Sequence, residues 1–251
     1  MVNDIDCIFA DVKNRTYRMS VTKITYLVIF LLSLASCASE YHIQGSSSVS
    51  RLDGKMLFVK VPQDGGMMNV DSAEVVHGLF RMRGEIDTAM IASLYMDEQS
   101  IMPLVVERGD IEIQIDNARI TVKGTPLNEA LYDFIAKKSS LDDRAYEVER
   151  MESRMIMDGE AIDVIEREVN SERDKISREM DDLVKTFIQD NYENVLGPGV
   201  FIMLCNGFPY PLMTPLLQEI VDNAPDSFKN HILVKEYLEA ARENMEALNE
   251  R

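Results

Sequence analysis

The sequence is poor in cysteine and has no tryptophan. Its 251 residues include three cysteines, Cys7, Cys37 and Cys205, and no two of them have the Cys-x-x-Cys spacing. Oxidoreductases of the thioredoxin type need that spacing, because the second thiol resolves the mixed disulfide that the first one forms. The sequence therefore carries no dithiol redox motif.

Histidine is equally scarce, and its spacing does not predict a metal site. The three histidines, His42, His77 and His231, form neither a His-x-x-x-His nor a His-x-x-Glu pattern. A zinc site needs three or four converging ligands. We expect ordinary surface histidines and no bound metal.

Methionine, by contrast, is plentiful, with 16 residues. Two groups, Met67 with Met68 and Met151 with Met155 and Met157, offer thioether ligands of the kind that copper prefers. Met151 and Met155, however, fall on the apolar stripe of a predicted helix, where methionine is a common core residue. Core packing is the favoured interpretation.

Motifs of nucleophilic or phosphate-binding chemistry are absent from the sequence. There is no Gly-x-Ser-x-Gly, and Ser72 has no evident histidine partner. We interpret Gly78, Gly84 and Gly109 as turn or bulge positions that need a positive φ, since none of them opens a helix in a Gly-x-Gly-x-x-Gly pattern. The carboxylates alternate with Lys and Arg on predicted solvated helix faces. We predict no catalytic residues and no cofactor, and therefore a protein that is not an enzyme.

Basic residues are few relative to acidic ones. Against 43 Asp and Glu stand 26 Lys and Arg, for a net charge of -17. Phosphate backbones repel such a chain, so nucleic acid is not an expected partner. The same charge gives no attraction to anionic lipid headgroups, so membrane attachment would have to depend on a lipid.

Long apolar runs are limited to Ile24–Cys37. This run is too short to cross a bilayer, which takes about 20 residues, but it suits the apolar region of a secretory signal. Its last four residues resemble a bacterial lipobox: Leu34, Ala35, Ser36 and Cys37. The resemblance implies that residues 1–36 are an upstream extension and signal peptide, and that Cys37 becomes the lipidated N-terminus. The alternative is a buried helix followed by an incidental cysteine.

The flanking segments bear on the start and the location of the protein. Asp4, Asp6 and Asp11 lie where a signal peptide carries positive charge, so we expect translation to begin at Met19. No acidic cluster of the kind seen in surface-exported lipoproteins follows Cys37. We therefore expect a cell-envelope protein of a Gram-negative bacterium, anchored by its lipid to the outer membrane and facing the periplasm. Residues 37–50 are predicted to form the lipidated tether.

Cys205 would then be the one thiol remaining in the mature chain. It lies in the apolar run Val200–Cys205, which predicts a short buried helix. Apolar surroundings raise the pKa of a thiol and lower its reactivity. We expect a buried core residue; the alternative is a mixed disulfide with a partner.

Residues 41–124 have the pattern of an antiparallel β-sandwich of about eight strands. Short β-rich runs are separated by turn residues throughout this segment. The alternation is clearest where Ile111, Ile113 and Ile115 are interleaved with polar residues. A tight turn then leads to Ile120 and Val122, which predicts a hairpin.

Residues 125–251 are predicted to form a helical region, so that the fold class is α+β. Thr125 can cap the first helix, and Pro126 suits its first position. Apolar residues then recur every three or four positions as far as Phe187, with a break into two helices expected at Gly159. Gly197–Gly199 is expected to interrupt the helices before the buried run.

Three stretches together resemble a known family. Asp71-Ser-Ala-Glu-Val-Val-His-Gly-Leu-Phe-Arg-Met-Arg-Gly84 is similar to its DSA-x-V-x-x-G-x-F-x-x-x-G strand pair. Val106-Glu-Arg-Gly-Asp-Ile111 resembles its ENG-x-I turn, and Gly124-Thr-Pro-Leu-Asn-Glu-Ala-Leu131 its GT-x-x-N stretch at the start of the helices. The family is the domain of unknown function 4369, a β-domain of periplasmic lipoproteins that commonly precedes a thioredoxin-like domain. The resemblance spans roughly residues 41–135.

The resemblance implies a redox-linked neighbour domain that this sequence lacks. We expect no thioredoxin-like domain, since no Trp-Cys-x-x-Cys turn is present. The favoured hypothesis is a non-catalytic interaction or ligand-binding module that uses an open sheet face or a strand edge to bind a partner protein in the envelope. One alternative is a redox accessory working in trans with a separate thioredoxin-like or peroxiredoxin-like protein. Another is the product of a truncated gene.

Overall fold

In the computed structural model, which describes residues 39–63 and 66–249, eight β-strands are followed by six α-helices. The strands are β1 (Glu40–Ser47), β2 (Met56–Gln63), β3 (Gly66–Glu74), β4 (Leu79–Glu85), β5 (Met90–Met96), β6 (Gln99–Val106), β7 (Gly109–Ile115) and β8 (Ile120–Lys123). The helices are α1 (Pro126–Met157), α2 (Ile162–Asp190), α3 (Leu196–Cys205), α4 (Pro215–Asp222), α5 (Asp226–Lys229) and α6 (Ile232–Asn249). The predicted α+β class, with the strands first, is confirmed.

The strands form two four-stranded sheets, in the orders β4-β1-β7-β8 and β3-β2-β5-β6. Apolar side chains from both sheets form one core, in which Ile43, Leu57 and Leu94 are completely buried. The predicted hairpin is confirmed, because Ile115 pairs with Ile120 and Val122 with Ile113 in an antiparallel ladder between β7 and β8. The alternating isoleucines of β7 are the buried face of that ladder.

One pairing differs from the predicted antiparallel sandwich. β1 runs parallel to β7, with Ile43 opposite Ile111, whereas the other pairings are antiparallel. Parallel neighbours need a long connection, and β2 to β6 supply it: β2, β3, β5 and β6 form the second sheet, and β4 pairs with the other side of β1. Alternation along a strand determines its buried face but not the direction of its neighbour.

Two of the three expected turn glycines have a positive φ, and the third does not. Gly78 has φ +74° and Gly109 has φ +121°. Gly84 lies inside β4 instead, where an added Cβ would be 2.7 Å from Oη of Tyr41. The expectation for Gly84 is therefore wrong. Glycine is needed there because the Tyr41 ring packs directly over the strand.

The helical region begins and divides as predicted. Pro126 is the first residue of α1, and α1 and α2 form a hairpin that turns at Gly159, where φ is +75°. The expected interruption at Gly197–Gly199 is wrong, because α3 begins at Leu196 and contains all three residues. Proline is tolerated in the first helical turn. Gly197 allows the helix to approach its preceding turn, since a Cβ there would be 2.4 Å from the carbonyl oxygen of Asn191.

Residues 40–47 of the predicted tether (37–50) belong to the sandwich. β1 begins at Glu40 and ends at Ser47, so Ser46 and Ser47 lie in a strand rather than in a tether. Ser46 pairs with Leu79 on one side and with Gln114 on the other. The described fold therefore begins three residues after Cys37.

A buried carboxylate holds the junction between the sandwich and α1. Glu107, just after β6, is 8% exposed, and its Oε1 accepts hydrogen bonds from the N–H groups of Leu127 (2.9 Å) and Asn128 (3.0 Å). The first N–H groups of a helix have no partner within it, and a negative charge beside them is favourable. Thr125 occupies the N-cap position, but its hydroxyl accepts from the side chain of Asn128 rather than from the backbone.

Asn128 joins α1 to the edge of β6. Its Oδ1 accepts a hydrogen bond from the N–H of Val105 (2.9 Å), and its Nδ2 donates to the Val105 carbonyl oxygen (2.7 Å). One side-chain amide thus satisfies both outward-facing backbone groups of an edge residue, as a neighbouring strand would. Asn128 is completely buried, so water cannot replace it.

We predict that Asn128→Ala lowers the free energy of unfolding by about 3 kcal/mol, because it leaves two buried backbone groups of Val105 without partners. Urea unfolding followed by circular dichroism measures the change. Asn223→Ala is the matched control, since its amide donates to the Glu219 carbonyl oxygen on the exposed surface and should cost less than about 0.5 kcal/mol. Equal losses in the two variants would contradict the assigned role of Asn128.

Candidate functional site

A groove of about 1430 Å³ lies between the outer edges of the two sheets, beside α1. Its walls are β6, from Gln99 to Pro103; the β7–β8 hairpin, from Ile115 to Lys123; and the face of α1 between Glu129 and Asp143. β6 and β8 are the last strands of their sheets. The groove is therefore bounded by two strand edges, which are places where another strand can pair.

Side chains of α1 cover the C-terminal part of the β6 edge. Asn128 pairs with Val105 as described above, and the Tyr132 hydroxyl donates to the Pro103 carbonyl oxygen at 3.0 Å. Burial raises the pKa of Tyr132, so this hydroxyl stays protonated and remains a donor. Val105 and Pro103 are two residues apart, so their backbone groups face the same way along the strand.

The cover ends one helical turn later. The β5–β6 ladder has a bulge next to Pro103: Met102 pairs with Leu94 and Ser100 with Tyr95, so Ile101 has no partner in β5. The residues of α1 that follow Tyr132 by one turn are Ile135 and Ala136, which line the groove but have no polar side-chain atom. Within the described residues, no hydrogen bond joins α1 to Ile101.

The β8 edge faces the groove with its own backbone groups. The N–H of Asp116 donates to the carbonyl oxygen of Arg119 and closes the hairpin at 2.9 Å. Alternation in an antiparallel ladder then directs the backbone groups of Thr121 toward β7 and those of Ile120 and Val122 away from it. Ile120 and Val122 therefore offer donors and acceptors to an occupant of the groove.

The groove has an apolar floor and charges of both signs at its rim. Met102 and Val122 are buried in the floor, and Ile101, Ile120 and Tyr132 are half-buried. The rim carries the charged side chains Arg51, Asp116, Arg119, Lys123, Glu129, Asp133 and Asp143. This combination suits a polypeptide segment with alternating side chains better than a ligand of one charge sign.

The predicted lipobox, Leu34, Ala35, Ser36 and Cys37, lies outside the described residues, as do the predicted start at Met19 and the signal peptide. Lipidation at Cys37 stays a prediction. Among the helices that the structure describes, none combines the length and the apolar character that crossing a bilayer requires.

The prediction that Cys205 is a core residue is confirmed. Its side chain is 3% exposed and belongs to the same core of the helical region as Phe201 and Leu217. Burial raises the pKa of the thiol to about 12, although a hydrogen bond with Tyr237 partly opposes that shift. A thiol in this state is not positioned for exchange with a partner, so the structure gives no support to a mixed disulfide at Cys205.

The histidines do not meet in the fold. His42 lies on the outer face of its sheet between Glu40 and Asp110, at 3.4 and 3.2 Å, and His231 is in the helical region with its pKa lowered by burial. No group of three or more His, Cys, Asp or Glu side chains in the described part of the chain is arranged to hold a metal ion.

The methionines behave as two separate sets. Met67 and Met68 are exposed on the edge strand β3, whereas Met155 is buried between α1 and α2 and Met151 packs against the same cluster. Met157 is exposed at the end of α1. The core-packing interpretation is thus right for Met155 and Met151.

Sequence reasoning expected a sheet face or a strand edge as the binding surface but did not locate this groove. Pro103 was the available signal, because a proline inside a strand is confined to edges and bulges. No comparable signal in the sequence indicated that α1 would lie on the β6 edge. That position depends on Glu107 and Asn128, which lie 21 residues apart in the sequence and meet only in the fold.

Residues 41–131 match the family model described as a domain of unknown function (DUF4369). The predicted resemblance is therefore confirmed for these residues, which extend from β1 into the second turn of α1 and include Glu107 and Asn128. No curated protein and no solved structure matches the chain.

We predict that Cys205 reacts slowly with thiol reagents, in a chain whose Cys7 and Cys37 are replaced by serine. At pH 8 a thiol of pKa about 12 is scarcely ionised, and burial also blocks access. Alkylation by iodoacetamide, followed by mass spectrometry, should be at least about 100-fold slower in the folded chain than in guanidinium-unfolded chain. Similar rates in both states would show that the thiol is accessible.

Proposed function

We propose that this chain is a lipid-anchored protein of the cell envelope whose sandwich binds an extended segment of a partner protein, without catalytic activity of its own. The observation that supports this proposal is the pair of strand edges, β6 and β8, that face one groove. Adding a strand to an exposed edge is a common mode of peptide recognition, in which backbone hydrogen bonds provide affinity and side-chain pockets provide specificity.

The β8 edge is the better docking strand. The backbone groups of Ile120 and Val122 are directed away from β7, so a bound segment can pair with both residues without disturbing the hairpin. On the β6 side, the backbone groups of Val105 and Pro103 are already hydrogen-bonded to the side chains of Asn128 and Tyr132. The segment would therefore pair mainly with β8 and contact β6 only near Ile101.

The rim charges favour a peptide of mixed composition. Arg119 and Lys123 lie on the hairpin side of the groove, and Glu129 and Asp133 lie on the helix side. All four are exposed, so they would select the orientation and the sequence of a segment rather than provide most of its affinity. The half-buried side chains of Ile101, Ile120 and Tyr132 would contribute the hydrophobic part of the binding free energy.

A lipid at Cys37 would hold the sandwich close to the membrane. β1 begins at Glu40, so a short linker of about 10 Å at most would separate the lipid from the sandwich. The net charge of -17 keeps the protein body from adhering to anionic lipids. The sandwich would then be held near the membrane surface with its groove free for a partner in the periplasm.

We expect that short random peptides selected on the purified chain bind in the groove. Ala136→Trp places an indole at an exposed position of the groove wall and should weaken binding by about tenfold or more, measured by fluorescence anisotropy. Lys137→Trp is the control, since Lys137 is the neighbouring exposed residue and does not line the groove.

Hydrogen exchange locates the bound peptide independently. The amides of Ile120 and Val122 should exchange more slowly when a selected peptide is bound, because the added strand accepts their hydrogen bonds. Undiminished binding by Ala136→Trp, together with unchanged exchange at β8, would overturn the groove as the binding site.

We also expect that Cys37→Ser abolishes lipid attachment. Cells fed an alkyne-labelled fatty acid should label the wild-type chain and not the variant, and the variant should move from the membrane fraction to the soluble fraction. Cys7→Ser is the control, because Cys7 precedes the predicted signal and should not affect labelling. Equal labelling of the Cys37→Ser variant would disprove the anchor.

A further inference from the structure

The far ends of α1 and α2 form a hairpin with a core of its own. Six buried side chains make that core: Leu141, Val148 and Met155 from α1, and Ile165, Val169 and Ile176 from α2. Ion pairs between the helices flank it, including Arg144 with Glu179 and Arg173 with Glu152. This part of the hairpin is distinct from the core of the helical region, which α1 joins through Leu131 and Phe134.

Two backbone hydrogen bonds close the end of α1 at the hairpin turn. The N–H of Glu160 donates to the Met155 carbonyl oxygen, and the N–H of Gly159 donates to that of Ile156. These two bonds, with Gly159 at positive φ, are the Schellman arrangement that ends a helix. The turn therefore presents its side chains in a fixed geometry, which lowers the entropic cost of binding.

Three large apolar side chains are exposed at this turn. Ile156 is 61%, Met157 77% and Ile162 73% exposed, although polar residues would satisfy the same backbone geometry. Single exposed apolar residues are common on protein surfaces, but a cluster at one projecting point is typical of an interaction site. We define Ile156–Asp163 as the hairpin tip.

The charge of the hairpin tip restricts what can bind there. Asp158, Glu160 and Asp163 are its charged residues, and it contains no Lys or Arg. Anionic lipids would repel these carboxylates, and so would the identical tip of a second copy. A surface with an apolar pocket and a basic rim is complementary to both features.

We propose that the hairpin tip docks into an apolar pocket with a basic rim on a partner protein. Met157 and Ile162 enter the pocket, and the three carboxylates pair with basic residues around it. This contact is separate from the groove, so a partner can be held at the tip whether or not the groove is occupied.

Site-specific photocross-linking tests the proposal in intact envelopes. The full chain carries benzoylphenylalanine at position 157 or, as a control, at position 146, where Tyr146 is also exposed (62%, against 77% for Met157). We expect an adduct from position 157 and none from position 146, with the joined protein identified by mass spectrometry. Failure to cross-link at 157, or adducts joining two copies of this chain, would overturn the proposal.

Binding of the identified protein, once purified, supplies the second test. The double variant Met157→Gln, Ile162→Gln should weaken binding of this partner by about thirty-fold, as expected for anchor residues. Raised salt should weaken binding of the partner to the wild-type chain. The double variant should fold normally because both side chains are exposed, which circular dichroism verifies. Tyr146→Gln is the control that leaves tip binding unchanged, because Tyr146 is exposed on α1 outside both the tip and the groove.

Vesicles test the membrane alternative. The Cys37→Ser chain is floated with phosphatidylcholine vesicles, with and without phosphatidylglycerol. We expect it to stay unbound in both cases. Flotation that the double variant abolishes, or a partner affinity that the double variant leaves unchanged, would refute a protein pocket as the occupant.

Discussion

A helix that begins in a buried position must find partners for its first N–H groups, and this requirement organises the junction of the fold. Glu107 meets it for α1 by accepting from Leu127 and Asn128. A hydrogen bond to a charged group contributes about 1.5–3 kcal/mol, so the direction in which α1 leaves the sandwich is strongly determined. Asn128, oriented by the same carboxylate at 3.3 Å, can then reach Val105.

The same junction explains where the sandwich is closed and where it is open. Asn128 and Tyr132 are four residues apart on one face of α1, and they cover backbone groups of β6 that are two residues apart in the strand. Farther along, that face carries Ile135 and Ala136, and the cover stops. An edge that is partly covered by side chains is protected from uncontrolled pairing, yet it leaves a short segment for a specific partner.

Local sequence patterns predicted the strands and helices well. They did not predict contacts between residues that are far apart in the sequence. The alternation of Ile111, Ile113 and Ile115 depends only on the pleat of one strand, and the turn at Gly159 on one backbone angle. The parallel β1–β7 pair and the close approach of Tyr41 to Gly84 depend on residues far apart in sequence.

Two of the stretches that resemble the family contain the residues of the junction, but the sequence does not show that these residues are in contact. Glu107 lies in the turn stretch and Asn128 in the stretch that opens α1, and the fold brings them together. Their spacing alone does not indicate that they touch, since short motifs report local geometry. The junction needs an acceptor for the helix N–H groups and an amide for the strand edge. That need becomes evident only when the three-dimensional positions of both residues are known.

One rigid element carries both proposed contacts. The groove is formed against the first turns of α1, and the hairpin tip lies at its other end. Ala136 and Met157 are separated by about 30 Å along the helix axis. A helix paired with α2 over most of that length bends little, so two partners, or two parts of one partner, can be held at a defined separation.

If both contacts are made to one protein, the second becomes intramolecular and even modest affinities combine into a tight complex. A partner that matched only one contact would lose that gain, so selectivity would come from the spacing as well as from each surface.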